Sequence, residues 1–465
     1  MKRQCSPRQG RFFPAHMTAD PPRHLVARRV ALEILVRVER DRAFADVLLG
    51  QRLAAFAPTD RRLITQLVLG TIAWQGRLDF ELSQYCRYPL HGLAPEVLAA
   101  LRMGLFQLRL LSRIPDYAAV DTAVSLTRES AGRAAAGFVN AVLRRAIRTP
   151  VALPARSDDE TGFLAITYSH PRWLVERLVE WFGTSGAESL MAANNQPAPN
   201  VIRLNLRRGE PQDLAASLTR DGMRVARWGQ FPETAVLAGA PVLMGESWKS
   251  GLFQPQAEAS QIVSRLLAPR PGAVVLDCAA APGGKAAHLA ELVGPEGRVL
   301  AIDLNFRGLL KARSTVSRLG HGNVLLVCAD ASNALPLRQH SAELVLLDAP
   351  CTGLGTLREH PEIRWRLQES DIERMAKLQK KMLRKVAEAV APGGALVYAV
   401  CSIAPPEGSD QIRAFLADNP DFAIDQTPLG DRHLAKLLDA DGCLRSRPDR
   451  DGLDGFFAVR LKRKP

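Results

Sequence analysis

The sequence contains no paired-cysteine motif. Its seven cysteines are scattered, and no two have the C-x-x-C spacing of zinc fingers and redox centres. An odd number of isolated thiols in a chain of 465 residues argues against a disulfide framework and is typical of a reducing compartment. We therefore expect a cytoplasmic protein with free thiols and no metal centre.

Long apolar segments are also lacking. No run approaches the 18 or so apolar residues of a transmembrane helix, so the sequence predicts no membrane contact. Residues 1–23 are basic and rich in proline but lack the apolar stretch of a secretory signal, and we predict a mobile basic tail there. Hydrophobic residues (47%) and charged residues (23%) stand near the averages of globular proteins, which excludes wholesale disorder.

The net charge of +13 is unevenly distributed. Residues 1–150 hold 23 basic and 12 acidic side chains, whereas the rest of the chain is nearly balanced. Arginine outnumbers lysine 50 to 11, and the guanidinium fork suits phosphate oxygens. An arginine-rich genome would explain that ratio but not the uneven distribution, which favours a polyanionic partner such as RNA.

Residues 24–150 have a helical pattern throughout and predict an all-α bundle. Val30, Ile34 and Val38 place an apolar face on the first helix. Asp60 is the predicted N-cap of the second helix, and further helices are expected at 95–112, 118–131 and 137–148. Arg144, Arg145 and Arg148 crowd one arc of the last of these, which is either a solvated face or an RNA contact.

The rest of the chain divides into two predicted modules. A linker-like stretch at 149–159 precedes a small α+β module at 160–245, with a helix at 172–183 and a strand at 201–206. Residues 248–465 alternate strands and helices, which predicts a Rossmann-like α/β domain with a parallel sheet covered on both faces. The predicted strands are 273–278, 298–304, 323–330, 343–350 and 394–402, with 455–463 as an added edge strand.

Four of these strands are predicted to end on an acid, at Asp277, Asp303, Asp330 and Asp348. Ligands of such sheets bind beyond the carboxyl ends of the strands. The loop after Asp277 has small residues and two glycines but neither dinucleotide-binding nor phosphate-loop spacing. The pattern favours an adenosine ligand without a pyrophosphate, for which S-adenosylmethionine is the leading candidate and a dinucleotide the competitor.

Two cysteines fall at neighbouring strand ends on the same face. Cys351 follows a proline after the fourth strand, and Cys401 lies at the end of the fifth. Cys328 is interpreted as a buried small apolar residue. A catalytic thiol at Cys351 or Cys401 and a merely structural one remain equally open from position alone.

The motifs as a set resemble the Nop/Sun family of RNA cytosine-5 methyltransferases. They are Asp277, Pro282-Gly283-Gly284-Lys285, Asp303, Asp330, Asp348-Ala349-Pro350-Cys351, His360-Pro361 and Cys401-Ser402. Upstream, residues 60–79 and 137–148 resemble the NusB-type RNA-binding domain that precedes the catalytic part in the Sun-type, small-subunit ribosomal RNA branch of the family. Residues 168–183 resemble the middle region of that branch, so the likeness runs from about residue 24 to the C-terminus.

This resemblance implies roles at the matching positions. Cys401 would be the nucleophile, Cys351 the thiol that assists product release, and Asp348 a group near the target base. The residues implied to hold S-adenosylmethionine are Ala279, Ala280, Ala281, Pro282, Gly283, Gly284, Lys285, Asp303, Asp330 and Asp348. Lys285 would also position or polarise Asp348.

The chain departs from the family pattern at three positions, Ala257, Ala279 and Val400, where Asp, Cys and Thr are usual. Both cysteines and all four acids are present. The three departures therefore put the fine tuning of the implied catalytic site in question more than its activity. The implied function is methylation of carbon-5 of a cytosine in 16S rRNA by a monomer. A tRNA methyltransferase of the same chemistry and a non-catalytic RNA-binding assembly factor are the alternatives.

Overall fold

The computed structural model describes residues 23–425 and 432–465, so the tail predicted at residues 1–23 lies, apart from Arg23, outside the described residues. The chain divides into two compact units. The first comprises residues up to 177 together with the short segment His360–Trp365, and the second comprises 178–359 and 366–465. Each unit has its own apolar core, and each is described separately below.

The first unit is helical, which confirms the predicted all-α bundle. Its helices are α1 (Arg23–Arg40), α2 (Ala45–Arg52), α3 (Pro58–Ala73), α4 (Gln75–Tyr85), α5 (Pro95–Leu110), α6 (Asp116–Arg148) and α7 (Glu160–Thr167). Helix α5 has the longest run of buried residues and packs along α6, α3 and α1, so it forms the centre of the bundle.

The range of α6 contains two helices, because its backbone is non-helical at Gly132, where φ is 89° and ψ is 177°. This agrees with the two helices expected at 118–131 and 137–148, whereas one local prediction in this unit, the N-cap, is wrong. Glycine adopts that left-handed backbone without strain, so the chain kinks there without a connecting loop. Asp60 is not an N-cap but lies in the first turn of α3, because Pro58 already starts the helix after the cap residue Ala57.

Helix α8 (Arg172–Asn194) leads into the second unit, which opens with a small antiparallel sheet. Its strands are β1 (Asn200–Leu204), β2 (Val225–Trp228), β3 (Thr234–Leu237) and β4 (Phe253–Pro255), in the order β2-β3-β1-β4. Helices α9 (Pro211–Arg220) and α10 (Glu246–Lys249) complete this region. The middle α+β module expected from the sequence is confirmed.

A larger sheet follows, and its central strands are parallel as predicted. The strands are β5 (Val274–Cys278), β6 (Arg298–Asp303), β7 (Val324–Cys328), β8 (Ala342–Asp348), β9 (Val390–Val400), β10 (Phe422–Ile424), β11 (Cys443–Ser446) and β12 (Phe456–Arg463). The helices are α11 (Glu258–Leu266), α12 (Gly284–Val293), α13 (Phe306–Leu319), α14 (Ile363–Arg366), α15 (Ser370–Ala387), α16 (Ser409–Asp418) and α17 (Arg432–Leu437).

The order of this sheet is β10-β12-β9-β8-β5-β6-β7, with β11 also paired to β12. The segment 455–463 is therefore not the edge strand that we expected. Strand β12 runs antiparallel between β9 and the short β10, whose pairing from Phe422 to Ile424 covers its outer side. Among the described residues, no helix has both the length and the apolar character needed to cross a membrane.

Close packing in the bundle gives a stability prediction. A Cβ placed on Gly70 would lie 2.1 Å from Cζ of Phe106, whereas a Cβ on Gly137 would have no atom within 4 Å. Both glycines are helical, so alanine gains about 1 kcal/mol of helix propensity at either position. We expect Gly137→Ala to stabilise the full chain by about that amount. Gly70→Ala should destabilise it by about 1–3 kcal/mol, because the ring of Phe106 has to move.

Urea unfolding of the full chain measures both changes. Equal shifts of the two midpoints in the same direction would contradict the packing at Gly70.

Candidate active site

The parallel register brings three of the four predicted acids to one edge of the sheet. Asp277 is paired with Ala301 on β6, Asp303 ends β6, and Asp348 ends β8. Asp330 lies two residues beyond the end of β7 and not on the strand as predicted, because β7 ends at Cys328. Carboxyl ends of neighbouring parallel strands thus place carboxylates where ligands of such sheets bind.

The loop after β5 has a backbone shape that only small residues allow. Ala279 has a φ of 65° and Gly283 a φ of 97°. A Cβ on Gly283 would lie 2.7 Å from Cα of Ala312, so a side chain would collide with the backbone of α13. Beside Gly284, where α12 begins, a Cβ would meet nothing within 4 Å. The loop therefore packs tightly at Gly283 and leaves open space at a helix N-terminus.

Asp303 holds this loop in place. Its Oδ2 accepts a hydrogen bond from the backbone N–H of Ala281 at 2.9 Å, and its Oδ1 accepts one from Asn305 at 2.7 Å. A carboxylate offers about four lone-pair sites, so each oxygen of Asp303 retains one for a further donor. Asp303 therefore holds the loop in place and can still accept hydrogen bonds from the hydroxyl groups of a ligand.

Asp330 is bound within its own loop. Its Oδ1 accepts from the backbone N–H of Ser332 at 2.8 Å, and Oδ2 accepts from the side chain of Asn333 at 3.3 Å. Hydrogen bonds from Ser332 hold the pKa of Asp330 below its ordinary value. The side chain is half-buried and remains an ionised acceptor beyond the third parallel strand.

Asp277 is buried, and neither of its carboxyl oxygens has a hydrogen-bond partner within the protein. Burial, followed by the negative charges of Asp348 and Asp303, raises the pKa of Asp277 well above its ordinary value. Burial thus favours the neutral form of this carboxyl group. The polar atoms of Asp277 remain available for a ligand.

Lys285, in the first turn of α12, forms an ion pair with Asp348. The Nζ–Oδ2 distance is 2.7 Å. Burial lowers the pKa of Lys285, but the charge and hydrogen bond of Asp348 and the charge of Cys401 outweigh it, so the pKa is raised. The ammonium group therefore stays charged, and it acts on Asp348 and Cys401 together.

The two predicted thiols lie side by side. Sγ of Cys351 is 3.2 Å from Sγ of Cys401, and both side chains are half-buried free cysteines. The hydrogen bond to Cys401, and then burial, raise the pKa of Cys351 well above its ordinary value. The protonated form of Cys351 is therefore favoured. Either sulfur can donate the hydrogen bond that joins the two thiols, and Cys401 also interacts electrostatically with Lys285.

Glu407 is a residue of this site that the sequence analysis did not identify. Its buried carboxylate accepts from the backbone N–H of Thr352 at 2.9 Å, from the Thr352 hydroxyl, and from Ser402 Oγ at 2.5 Å. Nε2 of Gln379 adds a fourth bond at 3.0 Å. Thr352 and Ser402 directly follow the two cysteines, so Glu407 positions both thiols. A charged residue after the apolar, proline-rich stretch 403–406 is the signal that points to it.

The prediction for Cys328 is wrong. It is exposed and not buried, because β7 is the outermost strand on its side of the sheet and Cys328 is its last residue. Its Sγ lies 3.6 Å from the carbonyl oxygen of Leu304, away from the thiol pair in sequence and in strand order.

This sheet order and the loop at the carboxyl ends define the class of the second unit, which is the S-adenosylmethionine-type methyltransferase fold. Three sequence profiles match the chain: the 16S rRNA methyltransferase RsmB/F at residues 264–462, the NusB family at 25–148, and the RsmF/B-like ferredoxin-like domain at 170–242. The matches follow the helical unit, the small sheet and the large sheet in turn.

The chain belongs to the ribosomal RNA small subunit methyltransferase B family. It is 32% identical over 443 residues to the probable member of Bacillus subtilis, covering 94% of this chain and 98% of that protein. It is 33% identical over 440 residues to the member of Pseudomonas putida, covering 93% and 98%.

Solved structures agree with this assignment. The crystal structure of PH0851 aligns with a TM-score of 0.82 at 26% identity, over 96% of this chain and 100% of that one. A methyltransferase homologue from Pyrococcus horikoshii aligns at 0.54 and 27% identity, over 66% of this chain and 99% of its own.

The thiol pair gives a prediction that needs no substrate. Since the hydrogen bond to Cys401 is the main cause of the raised pKa of Cys351, Cys401→Ala should lower that pKa. More of Cys351 would then be thiolate at pH 8.5, and its alkylation by iodoacetamide, followed by peptide mass spectrometry, should be several-fold faster. Cys328→Ala is the matched control and should leave the Cys351 rate unchanged. An unchanged or slower rate in Cys401→Ala would refute the proposed hydrogen bond.

Proposed function

We propose that this protein methylates carbon-5 of a specific cytosine in 16S rRNA, using S-adenosylmethionine and a covalent cysteine adduct. The observation that carries the proposal is the pair of free thiols 3.2 Å apart, next to the Lys285–Asp348 ion pair at the carboxyl edge of a methyltransferase-type sheet. Family membership supports the RNA target. Attack on a pyrimidine ring explains why two thiols stand in one site.

The residues present fit S-adenosylmethionine. Both oxygens of Asp277 are buried without a hydrogen-bond partner, open space lies beside Gly284, and each oxygen of Asp303 retains a lone pair. We propose that residues 279–285 with Asp303, Asp330 and Asp348 hold it. When bound, this cofactor supplies an electrophilic methyl group on a sulfonium. The acids suit its ribose, adenine and amino groups.

Cys401 is the proposed nucleophile. Its thiolate adds to carbon-6 of the cytosine, and the electron pair of the 5,6 double bond moves toward carbon-5, which becomes nucleophilic enough to take a methyl group. Lys285 favours this step because its positive charge faces the ionised sulfur. Loss of the carbon-5 proton to a base then expels Cys401 from carbon-6 and restores the double bond.

Cys351 and Asp348 are proposed to assist the proton transfers of these steps and to stabilise the charges that develop in them. Asp348, bridged to Lys285, orients the exocyclic amino group and ring nitrogen of the cytosine and stabilises the adduct. Cys351, next to the carbon-bound sulfur, assists the elimination that frees the product. The base has to leave its stack to reach this pocket, which favours a loop or distorted helix in the RNA.

The helical unit is the proposed RNA-docking part. Helix α6 lines a cleft of about 580 Å³ with Arg128, Arg133 and Asn140. Arg144 and Arg148 are exposed farther along the same helix. Guanidinium groups at a concave surface on the basic part of the chain suit phosphates of a folded RNA.

We also propose that the protein acts as a cytoplasmic monomer. Its proposed parts are a docking domain at 24–150, a middle module at 160–245 and a catalytic domain at 248–465.

The roles of the thiols have opposite consequences when each is removed. Cys401→Ala should abolish methylation, because no adduct forms. Cys351→Ala should let a covalent RNA–protein adduct accumulate, because elimination is impaired. Cys328→Ala, an exposed cysteine of the same sheet, should behave as the unchanged protein. Mapping 5-methylcytosine in total RNA of cells with and without each variant, together with denaturing gels for the adduct, measures these effects.

Several results would overturn this proposal. A mark that persists in Cys401→Ala would refute the nucleophile, and an adduct seen with Cys401→Ala but not with Cys351→Ala would reverse the two roles. Loss of a 5-methylcytosine from tRNA instead of 16S rRNA would show that the target is a tRNA. If no 5-methylcytosine were lost, an assembly factor would be favoured.

The docking surface predicts a salt effect. Each phosphate contact contributes about 0.7–0.9 to the slope of log K against log salt. The double variant Arg128→Gln/Arg133→Gln should therefore reduce the slope for 16S rRNA fragments by up to about 1.8. Arg298→Gln, an exposed arginine at the amino end of β6, is the control and should leave the slope unchanged. Equal salt slopes in the unchanged protein and both variants would show that α6 does not contact the RNA.

A further inference from the structure

Three potential metal ligands meet within the first compact unit, outside the site described above. They are Asp46 in the first turn of α2, and His360 and Glu362 in the segment His360–Trp365. One donor atom of each lies within 4.8 Å of the other two, and His360 Nδ1 is 4.0 Å from Asp46 Oδ1. The 4.0 Å separation of His360 and Asp46 exceeds a hydrogen bond, and neither Nδ1 of His360 nor Oε2 of Glu362 has a hydrogen-bond partner.

Two of the three donor groups have buried polar atoms without a partner. Glu362 is 1% exposed, and while its Oε1 accepts from the backbone N–H of Ala45 at 3.1 Å, its Oε2 has no hydrogen-bond partner. Nδ1 of His360 is likewise buried and unpartnered. Buried polar groups without a partner are rare in proteins, and a half-satisfied carboxylate beside an unpartnered imidazole nitrogen is explained by an ion between them.

The segment that carries two of these ligands is firmly held. Nε1 of Trp365 donates to the carbonyl oxygen of Ile72 at 2.7 Å, and Arg364 donates to those of Ala73 and Ser169 at 3.4 and 3.2 Å. Glu362 is fixed by Ala45, the residue before Asp46. The ligands are therefore preorganised on rigid elements, which a binding site requires.

We propose that Asp46, His360 and Glu362 bind one divalent transition-metal ion. An imidazole nitrogen with two carboxylates suits Zn²⁺ or Mn²⁺ better than Mg²⁺ or Ca²⁺, which prefer oxygen ligands alone. Ligand atoms about 2.1 Å from a tetrahedral ion lie about 3.4 Å apart, so the 4.0 Å gap between His360 and Asp46 closes by a small rotation of the exposed Asp46 side chain. Water fills the remaining positions, and the exposed side of Asp46 is the entry path.

The ion would link residues 360–362 to helix α2, and its role would therefore be structural. The sequence predicted no metal centre because its ligands are more than 300 positions apart and form no spacing motif. Only the fold of the first unit brings them together.

The test uses the full-length protein after removal of metals with a chelator. Mn²⁺ binding followed by electron paramagnetic resonance, and Zn²⁺ content by mass spectrometry, should each show one ion per chain, and Mn²⁺ should raise the melting temperature. Asp46→Asn, a surface change, and Glu362→Gln, an isosteric one that retains the acceptor for Ala45, should each weaken Mn²⁺ binding at least about tenfold. The matched controls Asp121→Asn and His91→Ala, in the same unit, should bind as the unchanged protein.

Three outcomes would overturn the site. They are no stoichiometric ion in the unchanged protein, equal affinity in Asp46→Asn and Glu362→Gln, or binding that disappears only in the double variant Cys351→Ser/Cys401→Ser. The last result would assign the ion to the thiol pair. Since Asp46 is exposed and its substitution does not disturb the core, folding failure cannot mask the answer.

Discussion

The buried carboxylate of Glu407 is the interaction on which the geometry of the thiol pair depends. A buried charge is tolerated only when its lone pairs are satisfied, and here all four donors come from Thr352, Ser402 and Gln379. Thr352 and Ser402 each follow a cysteine on loops that leave different strands. Satisfying one carboxylate therefore fixes both loops at once. The 3.2 Å separation of the sulfurs follows from this arrangement and not from the cysteines themselves.

The sequence predicted the positions of the parallel strands and most residues at their ends, because apolar runs and the acids that terminate them are local patterns. The strand predicted at 298–304 is found at Arg298–Asp303, close to where it was expected. The errors have nonlocal causes. Cys328 is exposed because β7 lacks an outer neighbour, and 455–463 is interior because the short strands β10 and β11 both pair with it. Glu407 was missed for the same reason, since its partners lie up to 55 positions away.

The charge is distributed unevenly along the chain. The excess of basic residues falls in positions 1–150, where α6 exposes several arginines. The acids and thiols of the second unit form a site whose charges are matched locally, as in the Lys285–Asp348 pair. A site that must control the ionisation of a thiol gains from such local balance, because a strong net field would act on every titratable group in it. The proposed attraction for RNA phosphates would therefore come from a different part of the chain.

Two chemically identical thiols have different surroundings. The hydrogen bond with Cys401, and then burial, raise the pKa of Cys351, which favours its protonated form. Cys401 shares that hydrogen bond and interacts with the charge of Lys285. The raised pKa of Asp277 favours its neutral form and so limits the negative charge in the pocket. These differences support the proposal that Cys401 attacks the base and that Cys351 assists release of the product.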